Sequence, residues 1–210
     1  MHFTPNLAYF DLSSNPIGNE GVGILAEKLL RIQTVILEEV GLTAEGCVRL
    51  AKAYSGTFVP VKLDVSRNEI GDQGVENLLP LIVELEEIWL NYTAVTERGC
   101  QTLATCAVSN KRVPWTVICL YRNPISDSKA LQGVVHAAKR LEYLDISGCY
   151  PLCGDQQALN QLDKSCERED VVLWNDLMDD QADDDSTDDQ DDDDMMDEWD
   201  GDVSAASTQM

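Results

Sequence analysis

Catalytic and metal-binding motifs are scarce in this 210-residue sequence, which contains only two histidines, His2 and His136. No second histidine or cysteine stands at metal-ligand spacing from either one. The sequence also lacks a GxxxxGK[ST] phosphate loop and a GxSxG nucleophile elbow. An acidic run near the C-terminus offers carboxylate oxygens, but without the fixed Gly and Glu positions of a calcium loop. We therefore expect no enzyme active site, no metal and no cofactor.

Long apolar runs are absent as well, since none approaches the roughly 20 residues of a membrane span. The first residues lack the basic segment and apolar stretch of a secretion signal. The seven cysteines, an odd number, follow no disulfide-framework spacing, which favours free thiols. These absences predict a soluble protein of the cytoplasm or nucleus, and they leave its oligomeric state open.

Basic residues are few, with 15 Lys and Arg against 38 Asp and Glu and a net charge of -23. Residues 171–210 contain 16 of the acidic residues and none of the basic ones. A bare anionic segment repels phosphate groups, so we expect no direct binding to nucleic acid or to a membrane. The partner that this charge favours is a protein with a basic surface.

What the sequence does contain is an internal repeat. LTAEGCVRLA at 42–51 returns as VTERGCQTLA at 95–104, and NPIGNEGVGIL from Asn15 returns as NEIGDQGVENL from Asn68. Both motifs recur after 53 residues, so the repeating unit is a pair of dissimilar units, each of about 25 to 30 residues. Within a unit the apolar residues have period 2 early and period 4 later. This change of period predicts a strand, a turn and a helix.

The alternating patterns LxxLxLxxNxIGxxGxxxL and LxxLxLxxxxLTxxGCxxLA resemble the two repeat types of the ribonuclease inhibitor subfamily of leucine-rich repeat proteins, from residue 7 to about 162. The resemblance implies an α/β solenoid, a horseshoe arc of about six strand-turn-helix repeats. Its parallel sheet would line the concave side and its helices the convex side. We assign residues 1–178 to this domain, with a C-terminal cap at about 163–178, and expect residues 179–210 to form a disordered acidic tail.

Two sets of repeated residues are expected to be structural. Asn15, Asn68 and Asn123 occupy the turn position, where an amide side chain can hydrogen-bond the backbone. Cys47 and Cys100 each follow a glycine at a helix start, and we expect compact buried thiols there.

The candidate binding site lies between the inward-pointing leucines, where side chains face the open curve. Five of the 13 aromatic residues fall at such positions, and four of these five belong to the last three units. Because neighbouring strands are about 4.8 Å apart, the members should form one patch. Its predicted residues are Trp89, Tyr92, Tyr121, Arg122 and Tyr143, with Glu38, Glu39 and Arg67 on the same face. Trp, Tyr and Arg dominate binding hot spots, and the alternative is that these rings only cover the sheet.

The tail carries its own apolar group in MMDEWDGD, where Met195, Met196 and Trp199 stand among acidic residues. These three side chains suit a basic partner with a hydrophobic groove, or they belong to a solvated tail without a binding role.

Four functions fit these observations. We favour a non-enzymatic protein-interaction module that binds its partner on the concave face. The chain also resembles Ran GTPase-activating proteins, which join similar repeats to an acidic C-terminal region. The tail is similar to that of acidic nuclear proteins of the histone-chaperone kind. An adaptor subunit of a cytoskeletal or flagellar assembly is the fourth reading.

Overall fold

The computed structural model describes residues 7–28, 31–54, 59–111 and 113–175, and strands alternate with helices throughout them. The strands are β1 Tyr9–Asp11, β2 Thr34–Ile36, β3 Lys62–Asp64, β4 Glu87–Trp89, β5 Val117–Cys119, β6 Tyr143–Asp145 and β7 Val172–Trp174. The helices are α1 Gly18–Ala26, α2 Ala44–Tyr54, α3 Gly71–Ile82, α4 Glu97–Ser109, α5 Lys129–Ala137 and α6 Gln156–Glu169. One turn of 3-10 helix, Leu152–Gly154, precedes α6.

The seven strands form one parallel sheet in chain order, and each neighbour pairs in register. Strands in a sheet stand about 4.8 Å apart, whereas packed helices need about 8 to 10 Å. The two layers can therefore stack only along a curve with the sheet on its inner side, which we call the concave face. This architecture confirms the predicted leucine-rich repeat solenoid of six strand-turn-helix repeats, and β7 adds a seventh strand.

The hydrophobic core lies between the sheet and the helices. The middle residue of each strand points into it, as the period of 2 predicted; these residues are Phe10, Val35, Leu63, Ile88, Ile118, Leu144 and Leu173. Trp115, which opens the fifth repeat, is fully buried and donates its Nε1–H to the carbonyl of Ile82 at 2.8 Å. Leu7 opens the first repeat and differs from its counterparts, because it is 41% exposed.

The repeated asparagines hydrogen-bond the backbone, and Asn68 and Asn123 also join neighbouring repeats. Asn68 Oδ1 accepts the backbone N–H groups of Val40 and Leu42 from the preceding repeat. Its Nδ2 donates to carbonyls on both sides, including Leu37 at 2.7 Å and Val65 at 2.9 Å. Asn123 forms the same pattern with the fourth repeat; its partners are Thr93, Val95, Leu90 and Leu120. Asn15 bonds only within its own turn and is exposed.

The structure also explains the Thr and Gly-Cys positions shared by LTAEGCVRLA and VTERGCQTLA. Asp72, at the start of α3, accepts from the backbone N–H of Thr96 at 2.8 Å and from the N–H of Gly99 at 2.9 Å. A Cβ at Gly99 would stand 2.7 Å from Asp72 Oδ1, so only glycine leaves room for this carboxylate. One pair of repeats earlier, Asn19 Oδ1 accepts the backbone N–H of Thr43, and Asn19 Nδ2 donates to the Thr43 hydroxyl. The motif recurs because its backbone N–H groups donate hydrogen bonds to a side chain of the previous repeat.

Cys47 and Cys100 are fully buried, and burial raises the pKa of their thiols, to about 12 for Cys47. Neither thiol is available as a thiolate near neutral pH.

The segment predicted as a C-terminal cap contains the end of α6 and the seventh strand. Val171 and Leu173 are buried against the sixth repeat, and Val172 pairs with Tyr143 of β6. The apolar pattern of this segment therefore continues the sheet. Leu177 and Met178 lie outside the described residues.

Candidate functional site

Each of the first five repeats presents three side chains to the concave face: the first and third residues of its strand, and a residue in the turn that follows. The turn residues Glu39, Arg67, Tyr92 and Arg122 all adopt left-handed backbone conformations, with φ between 52° and 55°. A left-handed residue is unusual outside glycine. Its recurrence at one repeat position places these four side chains in a row along one edge of the sheet.

This edge brings Tyr92, Tyr121, Arg122 and Arg67 together, and we call these four residues the turn cluster. The rings of Tyr92 and Tyr121 meet edge to face with centroids 5.3 Å apart. The guanidinium of Arg67 lies 4.4 Å from the centroid of the Tyr92 ring, and that of Arg122 lies 5.7 Å from it. Arg122 Nε also donates to the Tyr121 hydroxyl at 3.0 Å. The predicted patch therefore has a core of two tyrosines flanked by two arginines.

The two glutamates predicted for this face occupy the N-terminal side of the turn cluster. Glu38 forms an ion pair with Arg67, with 2.8 Å between Oε1 and Nε. Glu39 accepts a hydrogen bond from the Ser14 hydroxyl. The charges along this edge thus change sign, from carboxylates on the second repeat to guanidiniums on the third and fifth.

Trp89 lies in the middle of the sheet rather than in the turn cluster. It is half-buried, and Lys62 Nζ lies 3.8 Å from the centroid of its ring. Glu87 accepts from the indole N–H at 3.4 Å and lies 3.7 Å from Lys62 Nζ. Lys62 on β3 completes this arrangement, and its position in the repeat does not by itself predict the ring contact.

Tyr143 pairs with a residue that was predicted as part of the cap. Its ring lies 6.0 Å from the ring of Trp174, at an angle of 47°. Trp174 is 46% exposed and stands in register with Asp145 of β6. The signal that could have placed Trp174 here is its spacing, because β7 follows β6 by 29 residues, about one repeat.

Three aspartates on the concave face share a local motif, Asp-x-Ser, that the prediction did not use. Asp11, Asp64 and Asp145 each accept the backbone N–H two residues later, at 2.9 Å. Hydrogen bonds from the hydroxyl and then the backbone of Ser13 hold the pKa of Asp11 below its usual value. The three aspartates thus place acidic side chains along the middle of the concave face.

Comparisons with known proteins agree with this geometry. A family model for the leucine-rich repeat matches residues 5–26 and 61–79. Mouse ribonuclease inhibitor is 30% identical over 148 residues, which is 67% of this chain and 31% of that protein. The pig ribonuclease inhibitor is 26% identical over 218 residues, covering 85% of this chain and 48% of that protein.

The chain is a leucine-rich repeat protein of the ribonuclease inhibitor-like kind. Human NACHT, LRR and PYD domains-containing protein 14 is also similar, with 33% identity over 159 residues, or 69% of this chain. That match covers only 14% of the human protein, and this leucine-rich repeat chain spans less than half of each relative named here.

One groove lies on the convex side of the leucine-rich repeat domain, away from the aromatic residues. It has a volume of about 670 Å³ between α3 and α4, and its walls include Leu79, Pro80, Val83 and Cys106. No aromatic ring lines it. The groove lacks the ring and cation contacts that distinguish the concave face.

Metal-binding and membrane-spanning features were searched in the described ranges of this leucine-rich repeat protein. Those residues contain no group of three or more His, Cys, Asp or Glu placed to hold a metal ion, and no helix long and apolar enough to span a bilayer. None of the seven cysteines, all of which lie in these ranges, is paired in a disulfide bond. The tail residues Met195, Met196 and Trp199 lie outside the described residues.

Proposed function

We propose that this leucine-rich repeat protein is a non-enzymatic interaction module that binds a protein with a basic surface on its concave face. The observation that carries the proposal is the turn cluster, in which two tyrosine rings and two guanidiniums contact one another on the concave face. The acidic residues 179–210 have an accessory role in this proposal, which is to attract basic partners.

The turn cluster supports binding because its residues are large and already held in place. Trp, Tyr and Arg supply most of the energy at protein interfaces. A partner must normally immobilise such side chains, at about 0.5 to 1.5 kcal/mol each. Here the hydrogen bond from Arg122 to Tyr121 and the ion pair from Arg67 to Glu38 restrict them beforehand. Less entropy is then lost on binding.

The charge of the concave face favours a basic ligand. Asp11, Asp64, Asp145 and Glu87 lie on the strands, against Lys62 as the one cation of the strands in the described residues. A ribonuclease inhibitor is by its name directed at an enzyme, and a face of the same fold here has the features of a protein-binding surface. We further propose a reducing compartment, cytoplasm or nucleus, because none of the seven cysteines is paired in a disulfide bond.

The proposal is tested by affinity capture from cell extract with three baits: the intact chain, residues 1–178, and Trp89→Ala combined with Tyr121→Ala. A captured protein is then purified and its Kd measured with each bait. We expect the double variant to lose at least about 2 kcal/mol of binding free energy, because it truncates two ring anchors. Removal of residues 179–210 should weaken binding mainly at low salt.

A control variant separates the concave face from general loss of apolar surface. Ile24→Ala with Val108→Ala removes two side chains that are 66% and 63% exposed on α1 and α4, and it should leave Kd unchanged. If the ring variant binds every partner as tightly as the intact chain, the concave site is rejected. If partners are lost only with residues 179–210, the acidic segment is the binding element and the solenoid its carrier.

A further inference from the structure

The middle of the concave face contains a complete cation site made by the chain itself. Lys62 Nζ lies 3.8 Å from the centroid of the Trp89 ring, and a carboxylate oxygen of Glu87 lies 3.7 Å from the same nitrogen. Glu87 also accepts from the Trp89 indole N–H. An ammonium group is thus held by an aromatic ring and a carboxylate together. Both contacts favour a positive charge, since the face of an indole ring is electron-rich.

A second set of the same groups lies at β6 and β7. The rings of Tyr143 and Trp174 are 6.0 Å apart and open to each other at 47°. Asp145 is the register partner of Trp174 on the neighbouring strand, and it follows Tyr143 by two residues on the same face of β6. Burial, and then the charge of Asp145, raise the pKa of the Tyr143 hydroxyl, as expected if carboxylate and phenol are neighbours. We call these three residues the β6–β7 corner.

The β6–β7 corner differs from the Trp89 site in one respect. Within the part of the chain that the structure describes, no lysine or arginine forms an ion pair with Asp145 or lies over the Tyr143 or Trp174 ring. Asp145 Oδ1 accepts the N–H of Ser147, which leaves the second carboxylate oxygen for another donor. The corner therefore has two rings and a carboxylate without a cation.

We infer that the β6–β7 corner is a subsite that receives one lysine or arginine side chain from the basic protein partner. This inference rests on the proposed function, and it adds the place and the chemistry of one anchor. The ring pair supplies two electron-rich faces, and Asp145 supplies the countercharge. An anionic side chain would be repelled by Asp145, and an apolar one would offer no donor to its second carboxylate oxygen.

The probe for this subsite is the tetrapeptide amide Lys-Lys-Lys-Lys, titrated into the full-length protein labelled with 15N. The signal is the indole N–H resonance of Trp174, assigned by its disappearance in Trp174→Phe. We expect a saturable shift that weakens as salt is added. Asp145→Asn should weaken the apparent affinity at the Trp174 signal by about fivefold or more, since it removes the charge that the ammonium meets.

Asp11→Asn is the matched control, because Asp11 occupies the same repeat position and accepts the same backbone N–H bond at 2.9 Å. It removes the same charge five strands away and should change the affinity at the Trp174 signal by less than about twofold. Equal effects of the two variants would show that the peptide responds to total charge, and the subsite would be rejected. Absence of a Trp174 shift would reject it as well.

Failure of this inference is distinguishable from failure of the proposed function. If the purified partner loses affinity with Trp89→Ala and Tyr121→Ala but binds Asp145→Asn at full strength, the concave face binds protein and the subsite is wrong. If the peptide binds the β6–β7 corner while every partner binds the Trp89→Ala and Tyr121→Ala variant as tightly as the intact chain, the subsite is supported and the proposed concave function is rejected.

Discussion

Replacement of Asn68 by aspartate tests whether the amide hydrogens of this side chain hold the second and third repeats together. The change preserves the size of the side chain and its Oδ1 acceptor, which receives the N–H groups of Val40 and Leu42. It removes both hydrogens of Nδ2. In the unchanged protein these hydrogens are donated to carbonyl oxygens that include those of Leu37 at 2.7 Å and Val65 at 2.9 Å. The perturbation is therefore confined to donors.

The expected loss follows from burial. Asn68 is 3% exposed, so water cannot replace the missing donors. Each buried carbonyl left without a partner costs about 1 to 3 kcal/mol. Two lost donors, together with a negative charge beside carbonyl oxygens, should lower the free energy of unfolding by about 3 to 5 kcal/mol at neutral pH. The folded state penalises the charged form of the introduced carboxyl, and the protonated form regains one donor. The deficit should accordingly shrink as the pH falls.

The measurement is urea unfolding followed by tryptophan fluorescence, for which Trp115 is a fully buried reporter. The matched control is Asn15→Asp, because Asn15 is exposed and donates only to carbonyls of its own turn, those of Leu12 and Ser13. Its expected loss is below about 1 kcal/mol. If Asn68→Asp costs no more than Asn15→Asp, or if acid does not narrow its deficit, the assignment of the cross-repeat hydrogen bonds is refuted.

Three further predictions concern a glycine, a cysteine and a carboxylate. Gly99→Ala should lower the free energy of unfolding by about 1 to 3 kcal/mol, because the new Cβ meets a capping carboxylate and a valine methyl, while Gly154→Ala, with no heavy atom within 4 Å, is the control in the same denaturation assay. Cys153 is the one cysteine that is not buried, so a thiol reagent should modify it first in the folded protein and all seven in urea; equal rates for several thiols would contradict the burial. A hydrogen bond from Lys139, and then one from His136, hold the pKa of Glu169 below its usual value. Lys139→Gln should raise it in a carboxyl NMR titration, and the stability that this contact adds is present above the ordinary carboxyl pKa and lost as pH falls through the lowered one.

Much of the solenoid fold can be predicted from the spacing of apolar residues, because every repeat has the patterns of a strand, a turn and a helix in the same order. The turn asparagines and the buried cysteines could be assigned in this way, since their partners are backbone groups or the core. The sequence predicts a cap at the position of β7, because the sixth repeat departs from the template between Cys149 and α6. Without the repeat template, Val172 and Trp174 are recognisable only as members of an apolar segment, and their pairing with β6 cannot be predicted.

The candidate site was predicted less completely than the fold. Position within a repeat shows which side chains reach the concave face, and the structure brings Tyr92, Tyr121 and Arg122 into contact there. Contacts such as that of Lys62 with Trp89 depend on lateral register between strands and on side-chain rotamers. The sequence of a single repeat determines neither the lateral register nor the rotamers. The recurrent Asp-x-Ser motif was present in the sequence and would have identified the carboxylates of this face.

The junctions between repeats alternate in kind, and this has a consequence for how such a chain can change its length. Asn19 and Asp72 bond forward to a threonine of the next repeat, whereas Asn68 and Asn123 bond backward to the repeat before. Loss of a single repeat would therefore set two unmatched edges against each other. Loss or gain of the 53 residues that separate Asn19 from Asp72 restores every match. In descent, as in engineering, the array is expected to grow and shorten by pairs.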